Sequence, residues 1–157
     1  MPKNGVPDNV TYTETARATL RAAEEEARGA NHTYLGQEHL LLALARADGS
    51  LALRVLTALD VDPERLRATV TTLVPPTVVP PTVAELPRAP SLDEALRLAA
   101  DEAAAFEHPA VGTDHLLLGV LRERSGIGHT ALDLLGVTLR AARDQTLGLR
   151  AAGESEA

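Results

Sequence analysis

The histidines are the first candidates for chemistry in this sequence. Four of them form two pairs with a spacing of seven residues, His32 with His39 and His108 with His115. A zinc site would need converging ligands, and no acidic third ligand completes a known zinc pattern beside either pair. We predict that each histidine bonds the backbone at a loop–helix junction and stabilises the fold. We accordingly predict no metal and no cofactor.

Nucleophilic catalysis is not indicated either. Ser50, Ser91 and Ser125 lie outside any nucleophile-elbow motif, and the acidic residues form no pair that is peculiar to one part of the chain. The chain has no cysteine, which excludes disulfides and thiolate nucleophiles. The phosphate-binding motif G-x-x-x-x-G-K-[ST] does not occur in the sequence, so ATP hydrolysis is not predicted. We predict that the protein is not an enzyme.

Composition argues against two further classes of partner. The formal net charge is −7 at pH 7 and only 2% of the residues are aromatic, so attraction to nucleic acid is not expected. The apolar run from Leu40 to Ala45 is far shorter than the roughly 18 residues that span a bilayer. The first residues also lack the apolar stretch of a signal peptide. We expect a cytoplasmic protein with neither nucleic-acid nor membrane partners.

An internal repeat positions these residues. When the sequence is shifted against itself by 76 residues, 17 of the 61 positions from Thr13 to Leu73 are identical to their partners. The aligned pairs include His32 with His108, Gly36 with Gly112, and His39 with His115. The chain therefore contains two copies of one unit, and we assign structural roles to both glycines as well as to the histidines.

Each copy has the pattern of four short helices. Thr13, Ser50 and Asp62-Pro63 are typical starts for the first, third and fourth helices. The buried face of the third helix is predicted at Leu53, Leu56 and Leu59. In the second copy we predict a capping box over Ser91 to Glu94, a cap at Thr113 for a helix over Asp114 to Arg122, and a cap at Thr138. The prediction is an all-α fold of about eight helices in two pseudo-symmetric four-helix repeats.

Proline content separates the two copies. The region from Val74 to Pro90 holds six prolines, which disfavour helix and give an extended, semi-rigid connector. We predict a flexible N-terminus at 1–11, repeat 1 at 12–74, a Pro-rich linker at 75–90, repeat 2 at 91–150 and a flexible acidic tail at 151–157.

Several motifs of the first copy carry a family resemblance. They are Thr13-x-x-Ala16-Arg17, Glu24-Glu25-Glu26-Ala27 and Asn31-His32-x-Tyr34-Leu35-Gly36-Gln37-Glu38-His39-Leu40-Leu41-Leu42. They closely resemble the N-terminal domain of Clp ATPases, and His108 to Leu118 is similar to a worn form of the same signature. The resemblance covers roughly residues 9 to 150 and is strongest to ClpC-like N-domains of actinobacteria. It implies a substrate-receiving module that here lacks the ATPase modules.

The resemblance implies a phosphoarginine site. In ClpC-type N-domains that recognise phosphorylated arginine, the carboxylate of the G-T-E-H motif receives the guanidinium, and a threonine at the first helix holds the phosphate. The matching residues are Glu38 and Thr13 in the first copy, but Asp114 and Ala89 in the second, which makes Asp114 the weaker candidate. The alternative is that Glu38 only stabilises a helix start through the helix dipole.

The resemblance also implies a groove between the starts of the first helices of the two repeats. There ClpC-like domains bind adaptors and, in actinobacteria, cyclic-peptide antibiotics through aromatic side chains. Two phenylalanines of the family's groove match Asn9 and Arg88 here, and a third matches Tyr12. Arg17 matches a basic residue of the same surface. Losing two aromatic anchors should remove most of the apolar contact. The alternative is a groove retuned to an acidic partner.

Three functions follow from the resemblance. The first is a non-enzymatic binding module of Clp protein quality control, which receives substrate degrons or adaptors. The second is a decoy that sequesters adaptors or ClpC-directed cyclic-peptide antibiotics and so protects the Clp ATPase. The third is a regulator of an unrelated complex. The expected partners are Clp substrates, adaptors or a Clp ATPase.

Overall fold

Residues 10–157 are described by a computed structural model, and within them the chain forms eight helices and no strand. Repeat 1 contains α1 (Glu14–Gly29), α2 (Gln37–Ala45), α3 (Leu51–Ala58) and α4 (Pro63–Leu73). Repeat 2 contains α5 (Pro90–Ala105), α6 (Thr113–Arg122), α7 (Ile127–Leu134) and α8 (Leu139–Ala151). The predicted all-α fold of two four-helix repeats is confirmed.

The predicted caps of repeat 1 are present. The Thr13 hydroxyl accepts a hydrogen bond from the backbone N–H of Ala16, and the Ser50 hydroxyl accepts one from Leu53. The Asp62 carboxylate caps α4, with Pro63 at the first helical position. Each bond satisfies a donor that the start of a helix would otherwise leave unpaired. Thr138 caps α8 in the same way.

Two predicted starts in repeat 2 are wrong. The residue before α5 is Ala89, and Pro90 occupies the first turn, so Ser91 lies inside the helix and does not cap it. Proline favours this position because it has no N–H to satisfy and its φ suits a helix. Helix α6 begins at Thr113, one residue earlier than predicted, with Gly112 before it. The His115 side chain bonds the Gly112 backbone and replaces a side-chain cap.

Helices α2 and α6 form the centre of the protein. Every residue of both helices except Arg122 is buried, and their leucines are packed among the alanines of α1 and α5. The buried face of α3 differs from the prediction, because Leu51, Ala52, Val55 and Leu56 are buried while Leu53 and Leu59 are only partly so. A core of leucine and alanine allows close approach of helices, and the chain uses it at the contact of α5 with α6.

The two repeats pair across each other through short extended segments. Ahead of α1, Thr13 N–H donates to the Val111 carbonyl (3.0 Å) and Val111 N–H to the Thr11 carbonyl (2.8 Å). Ahead of α5, Leu35 pairs in the same way with the segment around Arg88. The two pairings are related by the 76-residue repeat shift. As a result, the start of the first helix of each repeat lies beside the start of the second helix of the other repeat.

The linker and the C-terminal segment are both fastened to helices. The Asn31 side chain donates to the Thr77 carbonyl (2.9 Å), and Arg28 donates to the Ala84 carbonyl (2.6 Å), so the linker follows the end of α1. Residues 152–157, predicted within a flexible tail, fold back onto the helix starts, where Glu156 bonds Thr113. Residues 1–9 lie outside the described part of the chain. The segment boundaries themselves stay predictions.

In residues 10–157, none of the helices combines the length and the apolar character needed to cross a bilayer.

The close contact between α5 and α6 predicts a position-specific effect of alanine. A Cβ on Gly119 would lie 2.2 Å from the Ala95 carbonyl oxygen, so Gly119→Ala must push the helices apart. We expect it to lower the free energy of unfolding by about 1–3 kcal/mol in urea denaturation. A Cβ on Gly148 of α8 would meet nothing within 4 Å, and we expect Gly148→Ala to raise stability by about 0.5–1 kcal/mol. Equal effects of the two substitutions would contradict the close contact.

Candidate binding sites at the helix starts

A relay of two histidines holds the start of α2. Gly36 N–H donates to His39 Nδ1 (2.9 Å), His39 Nε2 lies 2.7 Å from His32 Nδ1, and His32 Nε2 lies 3.0 Å from the Pro75 carbonyl. A carbonyl can only accept, so His32 must donate through Nε2 and accept at Nδ1 from His39 Nε2–H. The relay is complete with both rings neutral.

The same relay holds the start of α6. Gly112 N–H donates to His115 Nδ1 (2.9 Å), and His115 Nε2 lies 2.7 Å from His108 Nδ1. Burial lowers the pKa of His39 and that of His115 to about 4. Within residues 10–157, no group of three or more histidine and acidic side chains is placed to hold a metal ion.

The carboxylate of Glu38 occupies the first turn of α2 and is 97% buried, with 3% exposed. The Tyr34 hydroxyl donates a hydrogen bond to it, and burial together with this bond raises the pKa of Tyr34. An open pocket of about 420 Å³ lies beside the carboxylate, between α1, α2 and α4. Its lining includes His32, Glu38, Arg46, Arg67, Val74 and Pro76. We call Tyr34, Glu38 and this pocket the Glu38 site.

The matching carboxylate of α6, Asp114, is fully buried and already holds a guanidinium. Arg150 of α8 donates from Nε to Oδ2 (2.7 Å) and from Nη2 to Oδ1 (3.0 Å). A two-bond arrangement of this kind is the strongest pairing that these two groups form. The chain's own arginine therefore takes the place that the resemblance gives to a ligand.

A second carboxylate, that of Glu156, lies beside this ion pair. It accepts hydrogen bonds from the hydroxyl of Thr13 (3.1 Å), the backbone N–H of Leu51 (3.2 Å) and the hydroxyl of Thr113 (2.6 Å). The Thr113 backbone N–H is 3.3 Å from the same carboxylate. We call the donors to Glu156, with Asp114 and Arg150, the Asp114 site.

Three of the repeat-related differences between the two sites concern the side chains around the carboxylates. Arg150 corresponds to Val74, Ala110 to Tyr34, and Thr113 to Gln37. The Gln37 amide bonds the Ser91 carbonyl (3.1 Å), Glu123 (2.7 Å) and the His129 N–H (3.2 Å). In repeat 1, the place beside Glu38 that corresponds to the Arg150 guanidinium is thus open. The place that corresponds to the Glu156 carboxylate is filled by the Gln37 amide.

The sequence of this chain matches the model of one known protein family. The family model of the Clp repeat (R) N-terminal domain matches residues 11–135 and 88–156. The chain belongs to this family. Two overlapping matches agree with the two repeats that the helices form.

Two relatives agree with this family, and a solved structure has the same fold. The chain is 37% identical over 145 residues to the negative regulator of genetic competence ClpC/MecB of Bacillus subtilis, covering 92% of this chain and 18% of that protein. It is 36% identical over 146 residues to the chaperone protein ClpB of Oceanobacillus iheyensis, covering 93% and 18%. The Hsp104 N-terminal domain of Candida albicans superimposes with a TM-score of 0.73 at 18% identity, covering 89% of this chain and 91% of that one.

The chain spans about a fifth of the length of these curated relatives.

The structure does not bring Thr13 and Glu38 together as the prediction for the first copy required. The Thr13 hydroxyl bonds Glu156 in the Asp114 site, whereas Glu38 follows the segment that pairs with Arg88. The cross-repeat pairing is the cause, because it combines the first helix of one repeat with the second helix of the other. Ala89, which has no hydroxyl, therefore lies on the side of Glu38.

The residues predicted to line the groove are only partly exposed. Tyr12 is 7% exposed and packs in the core, and its hydroxyl has no hydrogen-bond partner among the described residues. The Arg88 side chain is 14% exposed, and its Nη1 lies 3.7 Å from Asp93. Arg17 is exposed, and Asn9 lies outside the described residues. The aromatic ring that the groove retains is thus not presented as an anchor.

Sequence reasoning missed Arg150 and Glu156. Arg150 aligns with Val74 and so had no counterpart in the other repeat, and Glu156 lay in a segment interpreted as a tail. Their partners are 36 and 43 residues away in the chain. Neither contact leaves a local pattern, so no signal in a single sequence would have identified it.

The neutral relays predict a pH dependence of stability. The pKa of His39 and of His115 is about 4 in the folded protein against an ordinary value of 6.5, so the unfolded chain binds more protons between these values. The free energy of unfolding should therefore be fully retained above about pH 6.5 and fall as the pH drops toward 4. The loss is on the order of 2 kcal/mol for each histidine.

Urea denaturation of the unmodified chain and of His115→Gln at pH 7.5 and pH 4.5 checks this. The variant keeps every carboxylate and loses one titrating ring, so its loss of stability between the two pH values should be smaller. An identical loss in both proteins would show that His115 takes up its proton as readily in the folded chain as in the unfolded one.

Proposed function

We propose that this chain is a non-catalytic module that receives substrate degrons or adaptors of the Clp system, and that repeat 1 recognises an arginine side chain at Glu38. The observation that carries the proposal is internal to the molecule. Asp114 in repeat 2 is filled by the guanidinium of Arg150, and the corresponding place beside Glu38 is a pocket.

The geometry of repeat 2 supports an arginine as the ligand. Val74 stands where repeat 2 has Arg150, and it lines the pocket beside Glu38. A guanidinium entering this pocket can approach the Glu38 carboxylate as Arg150 approaches Asp114. The bidentate pair would form with a carboxylate that is itself buried, and charge-assisted hydrogen bonds are the strong ones.

The charges around the pocket also favour a cation. Glu26 is paired with Arg67 (2.8 Å) and with Arg46 (3.2 Å), and Glu25 is paired with Arg46 (3.1 Å). Of the acidic side chains that line the pocket, Glu38 is the one without an arginine partner among residues 10–157. Its carboxylate accepts a hydrogen bond from the neutral Tyr34 hydroxyl. An arriving guanidinium would supply the positive charge that repeat 2 obtains from its own chain.

Phosphorylation of the arginine is the finer form of this proposal. Thr13, the expected phosphate ligand, lies in the Asp114 site, so the contact that supports recognition is the one between Glu38 and the guanidinium. Matched peptides with arginine, phosphoarginine and citrulline separate the two contributions, because citrulline keeps the shape and removes the charge.

Titration of these peptides by fluorescence anisotropy tests the site. Glu38→Gln keeps the size of the side chain and an acceptor for Tyr34, and we expect it to weaken binding of the arginine or phosphoarginine peptide by about tenfold or more. Glu64→Gln makes the same charge change at an exposed residue of α4 and should bind as the unmodified chain does. Equal affinity of Glu38→Gln and Glu64→Gln would refute the role of Glu38.

A substitution that fills the pocket gives an independent test. Val74→Arg places in repeat 1 the residue that repeat 2 has at position 150, and we expect its guanidinium to occupy Glu38 and reduce peptide affinity by about tenfold. Val78→Arg adds the same charge at a side chain that is 92% exposed and should not compete. Undiminished binding by Val74→Arg would contradict the correspondence between the two sites.

Reception of substrates is favoured over a decoy for cyclic-peptide antibiotics because Tyr12 is buried. We expect a ClpC-directed cyclic peptide to show no saturable binding in the micromolar range. Tight binding of that peptide together with no binding of arginine peptides would favour the decoy.

A further inference from the structure

The C-terminal segment, residues 152–157, turns back over the end of α8 and runs onto the helix starts. Gly153 has φ +87°, a left-handed conformation that glycine adopts without strain, and the N–H of Glu154 donates to the Leu149 carbonyl (3.0 Å). The Glu154 carboxylate is paired with Arg54 of α3 (3.1 Å). The turn directs Glu156 into the Asp114 site.

The groups around the Glu156 carboxylate are oriented as donors. The Thr113 hydroxyl accepts the backbone N–H of Ala52 (2.9 Å), and the Thr13 hydroxyl accepts that of Ala16 (3.0 Å), so each has its own hydrogen left to donate. Thr113 is completely buried, which fixes its position. The starts of α1, α3 and α6 therefore converge on one acceptor, and the positive ends of three helices favour a negative charge there.

The neighbouring ion pair removes the obstacle to an anion. Asp114 alone would repel a second carboxylate, but Arg150 neutralises it through two hydrogen bonds. In the other repeat, the Gln37 amide accepts the His129 N–H from within the fold. In the Asp114 site, by contrast, the acceptor is Glu156, which belongs to a segment outside the helices.

We propose that the Asp114 site binds an acidic side chain of a partner protein, and that the chain's own C-terminal segment occupies it as an intramolecular competitor. The glutamate of the partner would replace Glu156 on Thr13, Leu51 and Thr113. This site is separate from the Glu38 site, so the proposal goes beyond the function proposed above and does not depend on arginine recognition.

The tether sets the strength of the competition. A segment joined by a short turn is present at an effective concentration of the order of millimolar. An external peptide of the same sequence must displace it, and its apparent affinity falls by the fraction of molecules in which the site is free. Removing the Glu156 carboxylate should therefore increase the apparent affinity for an external acidic peptide.

Titration of the ¹⁵N-labelled full chain with an amidated peptide of the sequence of residues 151–157 tests this. We expect Glu156→Gln to bind the peptide about tenfold more tightly than the unmodified chain, with shifts of the Leu51 and Thr113 amide signals. Glu64→Gln, which removes one negative charge at an exposed residue of α4, should behave as the unmodified chain does. Equal affinity of Glu156→Gln and the unmodified chain, or no binding by Glu156→Gln, would overturn the proposal.

Two further variants separate the site from a general effect on folding. In the Glu156→Gln background, Thr113→Ser keeps the hydroxyl and should retain peptide binding, whereas Thr113→Val should lose it, with thermal unfolding showing that both are folded. Binding that survives Thr113→Val would overturn the assignment of the site. A second peptide carries phosphoserine in place of the second glutamate. If this peptide binds and the glutamate peptide does not, the choice of a carboxylate as the ligand is overturned.

Discussion

The cross-repeat pairing of backbone segments is the constraint on which the rest of the structure depends. Four hydrogen bonds of 2.8 to 3.0 Å join the residues before α1 to Val111 and the residues before α5 to Leu35. They place the start of each first helix next to the second helix of the opposite repeat. The Asp114 site is therefore composed of both repeats, since Thr13 and Leu51 of repeat 1 meet residues of repeat 2 there.

Duplication gave the protein two equivalent positions, and the side chains have since made them different. The first turns of α2 and α6 each carry a buried carboxylate, and burying a charge costs free energy unless a partner compensates it. Asp114 has the guanidinium of Arg150, while Glu38 has the neutral hydroxyl of Tyr34. On this difference in charge compensation rest our proposals of a cation for the Glu38 site and of an anion for the Asp114 site.

The ion pairs that the two copies share show which features belong to the fold. Glu26 pairs with Arg67 and Arg46, and at the related positions Glu102 pairs with Arg143 and Arg122. The histidine relays are likewise present in both copies. Contacts repeated at both positions hold helices together, whereas Arg150, Tyr34 and Glu156 occur once and distinguish the sites.

The sequence by itself determined the all-α class, the duplication, most helix starts of repeat 1 and the identity of the two first-turn carboxylates. These features are local or periodic, and a single chain displays them as spacing, caps and repeated motifs. The tertiary structure alone decided that Thr13 serves the Asp114 site, that Tyr12 is buried, and that Arg150 and Glu156 reach helix starts far away in the chain. Such contacts depend on how one repeat packs against the other, and no spacing within either repeat records that packing.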